Sequence, residues 1–428
     1  TKNSFTLKNT YEDVNENRKI FNSHLESRKC QKKNSVIKAM VNALSVAGSM
    51  ADKIFNPNND ESFDFLNEFQ SRSDYHPDLI ISHTQREIYD PVNLNQYNEM
   101  IDMSTDEKNV FNIKKNAFFG GCSMDCRGLY WKHFLNLDQI EDSEIIFKKI
   151  EDQLSLITKQ QIQNNTQLKC AFSLIEKDYV RTDRNYEFYA GSENILKIKK
   201  LLQMHCLYNF DSIYAQGMND IMAILLYVYS KCEQTASKAE LYTFFSFQVM
   251  INRYLFEIFN EKTRKIQVIF SYIGYLLYAI DYPLFHHLND LNNEWYNFCL
   301  SWVILLFKRV YSKYDHTMRL WDSIFCNYHI QDDTKLRTPN CQNILTVICV
   351  VLIKMMRMDI FRQSSGSVDI AVKTFMSRYD DNAYSETDSR FVLQPRRIME
   401  KVADIYDAVY KCGEENATYI LLFDCKED

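Results

Sequence analysis

Residues 213–229 read IYAQGMNDIMAILLYVY. The chain holds 9 glycines among 428 residues, and Gly217 stands here between a glutamine and a methionine. Glycine takes backbone angles that other residues avoid, and it lets a second backbone approach closely. A bend just before the apolar run is one use for it, and the open question is why so scarce a glycine stands beside Gln216. Asn219 or Asp220 is expected to cap the helix that follows, and residues 221–228 to anchor it in the core.

The same helical texture runs outward on both sides. Leu168, Phe172, Ile175, Tyr179 and Thr182 step by 4, 3, 4 and 3 residues, which is one face of a helix. The spacing predicts further helices over 194–209, 218–231, 240–260, 264–281, 293–313, 317–327 and 342–361. Pro395 opens a last one over about 396–412. No alternating strand pattern of useful length is present. With 9 glycines and 6 prolines, turn chemistry is scarce, which favours long helices over many short strands. The expected class is all-α. At 428 residues the chain exceeds one ordinary core, so two lobes, or two domains and a tail, are expected, and a 46% hydrophobic content is ample for a buried interior.

Residues 1–34 are polar and asparagine-rich and read as a disordered segment. Residues 35–105 read as a short amphipathic helix and a linker. The helix, over 35–55, carries Ile37, Met40, Val41 and Leu44, and its apolar face suits docking on the main domain, or else a membrane or partner. The main domain is expected over 106–361, and 362–428 as a polar connection with a C-terminal helix.

Composition excludes several classes. Net charge is −6 with no basic block, which argues against nucleic acid, because phosphate binding needs a basic stripe. The longest apolar runs, 295–307 and 344–353, fall short of the roughly 18–20 residues that span a bilayer. They read as buried helices, so no transmembrane segment is expected and membrane association is at most peripheral. The opening residues show no secretory h-region. Twelve cysteines without a CxxC pair read as reduced thiols, and the expected location is cytoplasmic. Cys122 and Cys126 lack a second ligand pair. His286 and His287 would diverge by about 100° on a helix, so no metal site is expected. No phosphate-cradling loop occurs, so the chain should not bind a nucleotide alone.

Counted from Ile175, Arg181 lies about 240° round the helix, off the apolar stripe and toward solvent or a partner. Asp178, three residues earlier, is within its reach. Alone, this would be an ordinary surface ion pair. It does not stand alone: 127–131 reads RGLYW, 175–182 reads IEKDYVRT, and 214–218 reads YAQGM. In this order they resemble the three signature motifs of the TBC domain family of Rab GTPase-activating proteins, R-x-x-x-W, I-x-x-D-x-x-R-T and Y-x-Q-G-M. The likeness covers about 110–360 and takes in FFGGCSMDCRGLYWKHFL (118–135), RTDRNYEFYAG (181–191), LFHHL (284–288), SWVILLFKR (301–309) and MRLWD (318–322). It is nearest to the subgroup that continues the second motif as R-T-D-R, whose members act on late-endosomal or related Rabs.

The resemblance implies a two-lobed TBC-type helical domain with an N-terminal polar extension and a C-terminal helical tail. It implies a protein that is not itself a GTPase but supplies catalytic residues to a Rab in its GTP form, in vesicle traffic on endomembranes. Arg181 would be the arginine finger and Gln216 the glutamine finger, replacing the Rab's own glutamine in orienting water. Asp178 would steer Arg181, and Thr182 would satisfy local backbone groups. Tyr214, Gly217, Met218 and Asp220 would support the fingers or touch the Rab, while Arg127, Trp131 and Ile175 would be structural. GTP and magnesium would belong to the partner, and this chain would carry no cofactor of its own. Three positions depart from the family pattern: Ile213 replaces a usual glycine, and Ser301 and Val310 stand where the subgroup commonly has arginine and glutamate. The alternatives are a Rab-binding adaptor without catalytic activation, and a helical scaffold for unrelated partners.

Overall fold

A computed structural model describes residues 81, 86–102, 107–209, 213–255, 265–291, 296–326, 341–363, 368–381 and 390–411. The disordered segment and amphipathic helix expected within 1–55 lie outside the described residues. Helices α1 (Leu94–Asp102), α2 (Glu107–Gly120), α3 (Met124–Phe134), α4 (Ser143–Leu156), α5 (Lys159–Asn164), α6 (Thr166–Asp178), α7 (Glu187–Ala190), α8 (Ser192–Tyr208), α9 (Met218–Cys232) and α10 (Ala236–Met250) build the first lobe. Helices α11 (Lys265–Ile280), α12 (Tyr282–Asp290), α13 (Leu300–Ile304), α14 (Tyr314–Cys326), α15 (Cys341–Met355), α16 (Arg357–Phe361), α17 (Val368–Arg378) and α18 (Pro395–Lys411) follow. Among the described residues there is no strand, only a single parallel bridge between Val92 and Cys122.

Each lobe is organised round one helix that is apolar on nearly every side. In the first it is α9, whose residues 218–226 are all buried and which α3, α8 and α10 enclose. In the second it is α15, enclosed by α11 and α18. A helix apolar all round can only be stable in a core, so these two fix the positions of the rest. Helix α14 joins the lobes, packing on α2, α3 and α18. Its Trp321 meets Trp131 of α3 with ring centroids 5.8 Å apart.

Four expectations need correction. The segment 293–313 is not one helix: α13 ends at Ile304, and Leu306 and Phe307 take φ of +46° and +63°. The run holds no glycine or proline, so nothing local marks the break. A contact from α14 holds it, the Trp321 indole donating to the Leu306 carbonyl at 2.8 Å, and within the bend the Phe307 amide donates to the Trp302 carbonyl at 2.7 Å. The helix expected over 342–361 is interrupted at Met356. The polar connection 362–390 contains α17, which buries Val368, Ala371 and Phe375. Helix α12 follows a side-chain cap, Asp281, that accepts from the Leu284 amide.

The fourth correction concerns the flanks. Residues 86–102 are not linker. Val92 is 1% exposed, Tyr97 is buried against α3, and Arg86 bonds Asp404 and Asp407 of α18. Helix α18 in turn buries Ile398, Met399, Val402, Ala403 and Val409 against α14 and α15. The expected C-terminal tail is thus part of the core.

Candidate functional site

Two loops converge here, one from α6 and one before α9. Asn165 caps α6, accepting from the Leu168 amide at 3.0 Å, and Ile175 anchors its far end in the core. The helix then tightens into a 3-10 turn, Tyr179–Arg181. That tightening departs from the even helical face read over 168–182. Asp178, the last residue of α6, already faces inward and is 1% exposed, while the Arg181 side chain is left 49% exposed. Arg181 donates to Oδ1 of Asp178 from Nη2 at 2.5 Å and from Nε at 3.2 Å.

The second loop bends at Gly217, where φ is +99°. A Cβ there would stand 2.4 Å from Cδ2 of Leu305, so both the backbone angle and the space demand glycine. Gln216 is half-buried, and its Oε1 is buried without a hydrogen-bond partner among the described residues. Helix α9 starts directly at Gly217 with no side-chain cap. The expected capping by Asn219 or Asp220 is therefore corrected: both side chains are spent elsewhere.

Asn219 completes a ring of hydrogen bonds between the loops. The Tyr214 hydroxyl donates to Oδ2 of Asp178 at 2.6 Å, with Oδ1 of Asn219 3.1 Å away. The Asn219 amide donates to the Thr182 hydroxyl at 2.9 Å, and that hydroxyl donates to the Asp178 carbonyl at 2.9 Å. A buried carboxylate is tolerated only when paired and hydrogen-bonded, and Asp178 has both. Burial, aided by Asp178, pushes the Tyr214 phenol well above its ordinary value, so it stays a donor. Tyr214 and Met218 lie beneath the surface, the latter fully, with its sulfur accepting from the Ala215 amide at 3.2 Å.

A family model, the Rab-GTPase-TBC domain, matches residues 124–361, more than half of the chain. The chain belongs to this family. Among its relatives, TBC1 domain family member 17 of Mus musculus is 29% identical over 275 residues, covering 61% of this chain and 40% of the relative. TBC1 domain family member 16 of Homo sapiens is 24% identical over 248 residues, covering 55% of this chain and 30% of the relative. The chain thus spans less than half the length of the curated relatives it matches. In fold, it is similar to the crystal structure of the Ypt/Rab-GAP domain of Gyp1p, with a TM-score of 0.55, 13% identity, and coverage of 73% of this chain and 97% of that one.

The TBC domain holds its two loops against a third. Asp183, at φ +41°, receives the Lys308 ammonium at 2.8 Å and the Tyr314 hydroxyl. Asp220, at the start of α9, receives Arg309 from Nη2 at 2.9 Å and from Nε at 3.1 Å. Burial pushes the Asp220 carboxyl above its ordinary value, against the opposing pull of Arg309 and Lys308.

Behind the loops, Arg127 and Trp131 converge on Asp322 of α14. Asp322 is fully buried and accepts from Arg127 at 3.1 Å, from the Trp131 indole at 2.8 Å and from the Cys122 amide at 2.9 Å. These bonds cross from α3 to α14. The string MRLWD is visible in the sequence, yet nothing in it gives Asp322 a role, and none falls to Asp183, Lys308 or Arg309 either. The one signal that could have found Asp322 is an acid set directly beside the apolar residues Leu320, Trp321 and Ile324. Of the unusual positions, Ile213 and Val310 are half-buried against the core, and Ser301 is half-buried.

Cys122 and Cys126 are free and buried. Among the described residues no group of histidine, cysteine and acidic side chains is placed to hold a metal ion, and no helix is long and apolar enough to cross a membrane.

Proposed function

We propose that this TBC domain is a GTPase-activating protein for a Rab-family GTPase in its GTP form. Arg181 serves as the arginine finger and Gln216 as the glutamine finger. The observation that supports this most is the ring through Asp178, Tyr214, Asn219 and Thr182, because it couples the loop of one finger to the loop of the other.

Hydrolysis on a small GTPase is slow because charge grows on the transferring phosphoryl group while the attacking water is poorly held. A guanidinium presented in trans stabilises that charge, which in GTPases is worth on the order of 10³–10⁵ in rate. Arg181 suits this role because its head is half-exposed while Asp178 fixes one edge of its fork. Its planar donors can serve two oxygens, and it never loses its charge. Gln216 sits beside the bend at Gly217, and its buried Oε1, which has no hydrogen-bond partner among the described residues, would turn outward to hold the water once the GTPase docks. The nucleotide and its magnesium arrive with the GTPase. Working on vesicle membranes from the cytoplasm would need only peripheral attachment.

The test is multiple-turnover GTP hydrolysis across a Rab panel, with wild type, Arg181→Ala and Gln216→Ala. Acceleration of at least one Rab by wild type, lost in both variants, is the expected result. If no Rab is accelerated, or Arg181→Ala matches wild type, the proposal fails. Binding of a Rab without acceleration would mark an adaptor instead.

A further inference from the structure

The third loop runs 305–310 and touches both finger loops. Leu306 and Phe307 hold φ of +46° and +63°, a region that non-glycine residues occupy only when their surroundings impose it. Both are fully buried, and Trp321 pins the Leu306 carbonyl. This double bend directs three contacts. Leu305 fills the space over Gly217, beside Gln216. Lys308, 8% exposed, reaches Asp183, two residues after Arg181. Arg309 reaches Asp220, four residues after Gln216, with two donors on one oxygen.

We propose that Lys308 and Arg309 are positioning residues that set the spacing of the two fingers, each clamping one finger loop from this single bent turn. The proposal rests on the finger assignment above. Neither residue needs to touch the nucleotide. Lys308 is buried beneath the surface, with its ammonium 5.2 Å from the ring centre of Tyr314. Adjacent residues on one short turn cannot move independently, so a shift of either finger loop is resisted by the other. Catalysis by an inserted side chain tolerates little misplacement: a displacement of about 1 Å can cost on the order of 100-fold.

The test uses the full chain with Lys308→Met and Arg309→Met, each keeping an unbranched stem without the charge. Two measurements are made. The first is hydrogen exchange by mass spectrometry. Lys308→Met is expected to raise exchange most around 179–187 and less over 213–222, and Arg309→Met to do the reverse, while Arg309→Lys retains most of the protection. The second is single-turnover hydrolysis on a Rab accelerated by wild type. Each Met variant is expected to slow the catalysed step roughly 10- to 100-fold, with affinity for the GTP-bound Rab within about twofold. Unchanged exchange in both variants overturns the clamp. So does a loss of affinity with an unchanged catalysed step, which would make Arg309 a contact residue. If wild type accelerates no Rab, the finger assignment falls, and the exchange pattern alone still decides whether the turn clamps the two loops.

Discussion

The hydroxyl of Tyr214 donates to Asp178 at 2.6 Å, so the carboxylate that grips Arg181 is itself gripped from the residue two before Gln216. One buried acid therefore belongs to both loops. Tyr214→Phe keeps the ring and removes the donor, leaving a buried carboxylate short of one hydrogen bond. The expected cost is about 1–3 kcal/mol in urea denaturation. Catalysed hydrolysis should fall as well, because Asp178 then holds Arg181 less firmly. A variant as stable as wild type would show that the bond contributes nothing.

Arg181→Lys separates charge from geometry. Lysine keeps the cation but not the planar fork that Asp178 engages with two nitrogens. Activity should drop by on the order of 100-fold or more, approaching the loss in Arg181→Ala. Stability should move by no more than about 0.5 kcal/mol, since the side chain is half-exposed. Parallel turnover assays and thermal melts measure both.

Gly217→Ala should destabilise the fold by about 1–3 kcal/mol, through the positive φ and the collision with Leu305. Adding Leu305→Ala should relieve the collision but not the backbone strain. The double variant is then expected to remain less stable than Leu305→Ala alone in chemical denaturation.

Asp322→Ala should be the most damaging of these substitutions. It strands the Arg127 guanidinium, which is buried and held above its ordinary pKa, against the cost of burial, by Asp322. Losing one partner of such a buried pair costs about 3–5 kcal/mol. Calorimetry should show a clear fall in Tm for both lobes together, because α14 spans them.

Acid sensitivity should trace partly to Asp381. Burial raises its carboxyl, but His316 at 2.8 Å and the amides of Lys313 and Ser312 outweigh this, so its folded value lies below the ordinary one. A depressed carboxyl stabilises the fold at pH above its unfolded value of about 3.9 and loses that contribution as pH falls through the folded value. Asp381→Asn should thus be less stable than wild type at pH 7, with the gap closing below about pH 4. Denaturation midpoints at pH 7, 5, 4 and 3 measure this.

The helices around Gln216 and Arg181 were legible because their apolar residues repeat at helical spacing and their motifs are short and ordered. What stayed hidden depends on contacts far along the chain. Nothing near Leu306 announces a bend, since Trp321 holds it from fifteen residues away. Asn219 looked like a helix cap because its type suits one, yet its amide is taken by Thr182, 37 residues earlier. Lys308 and Arg309 looked like one more turn of helix. Their partners, Asp183 and Asp220, become visible only once three loops meet.

Arg86 clasps α18 from the other end of the described chain, and Val92 pairs with Cys122 at the entrance to α3. The folding unit is therefore longer than the stretch its motifs mark out. A gene fragment cut at 124 and 361 would keep every signature residue and lose α1, α2, α17 and α18. The apolar faces of α14 and α15 would then meet water, and such a fragment should aggregate on expression, whereas one spanning 86–411 should stay in solution.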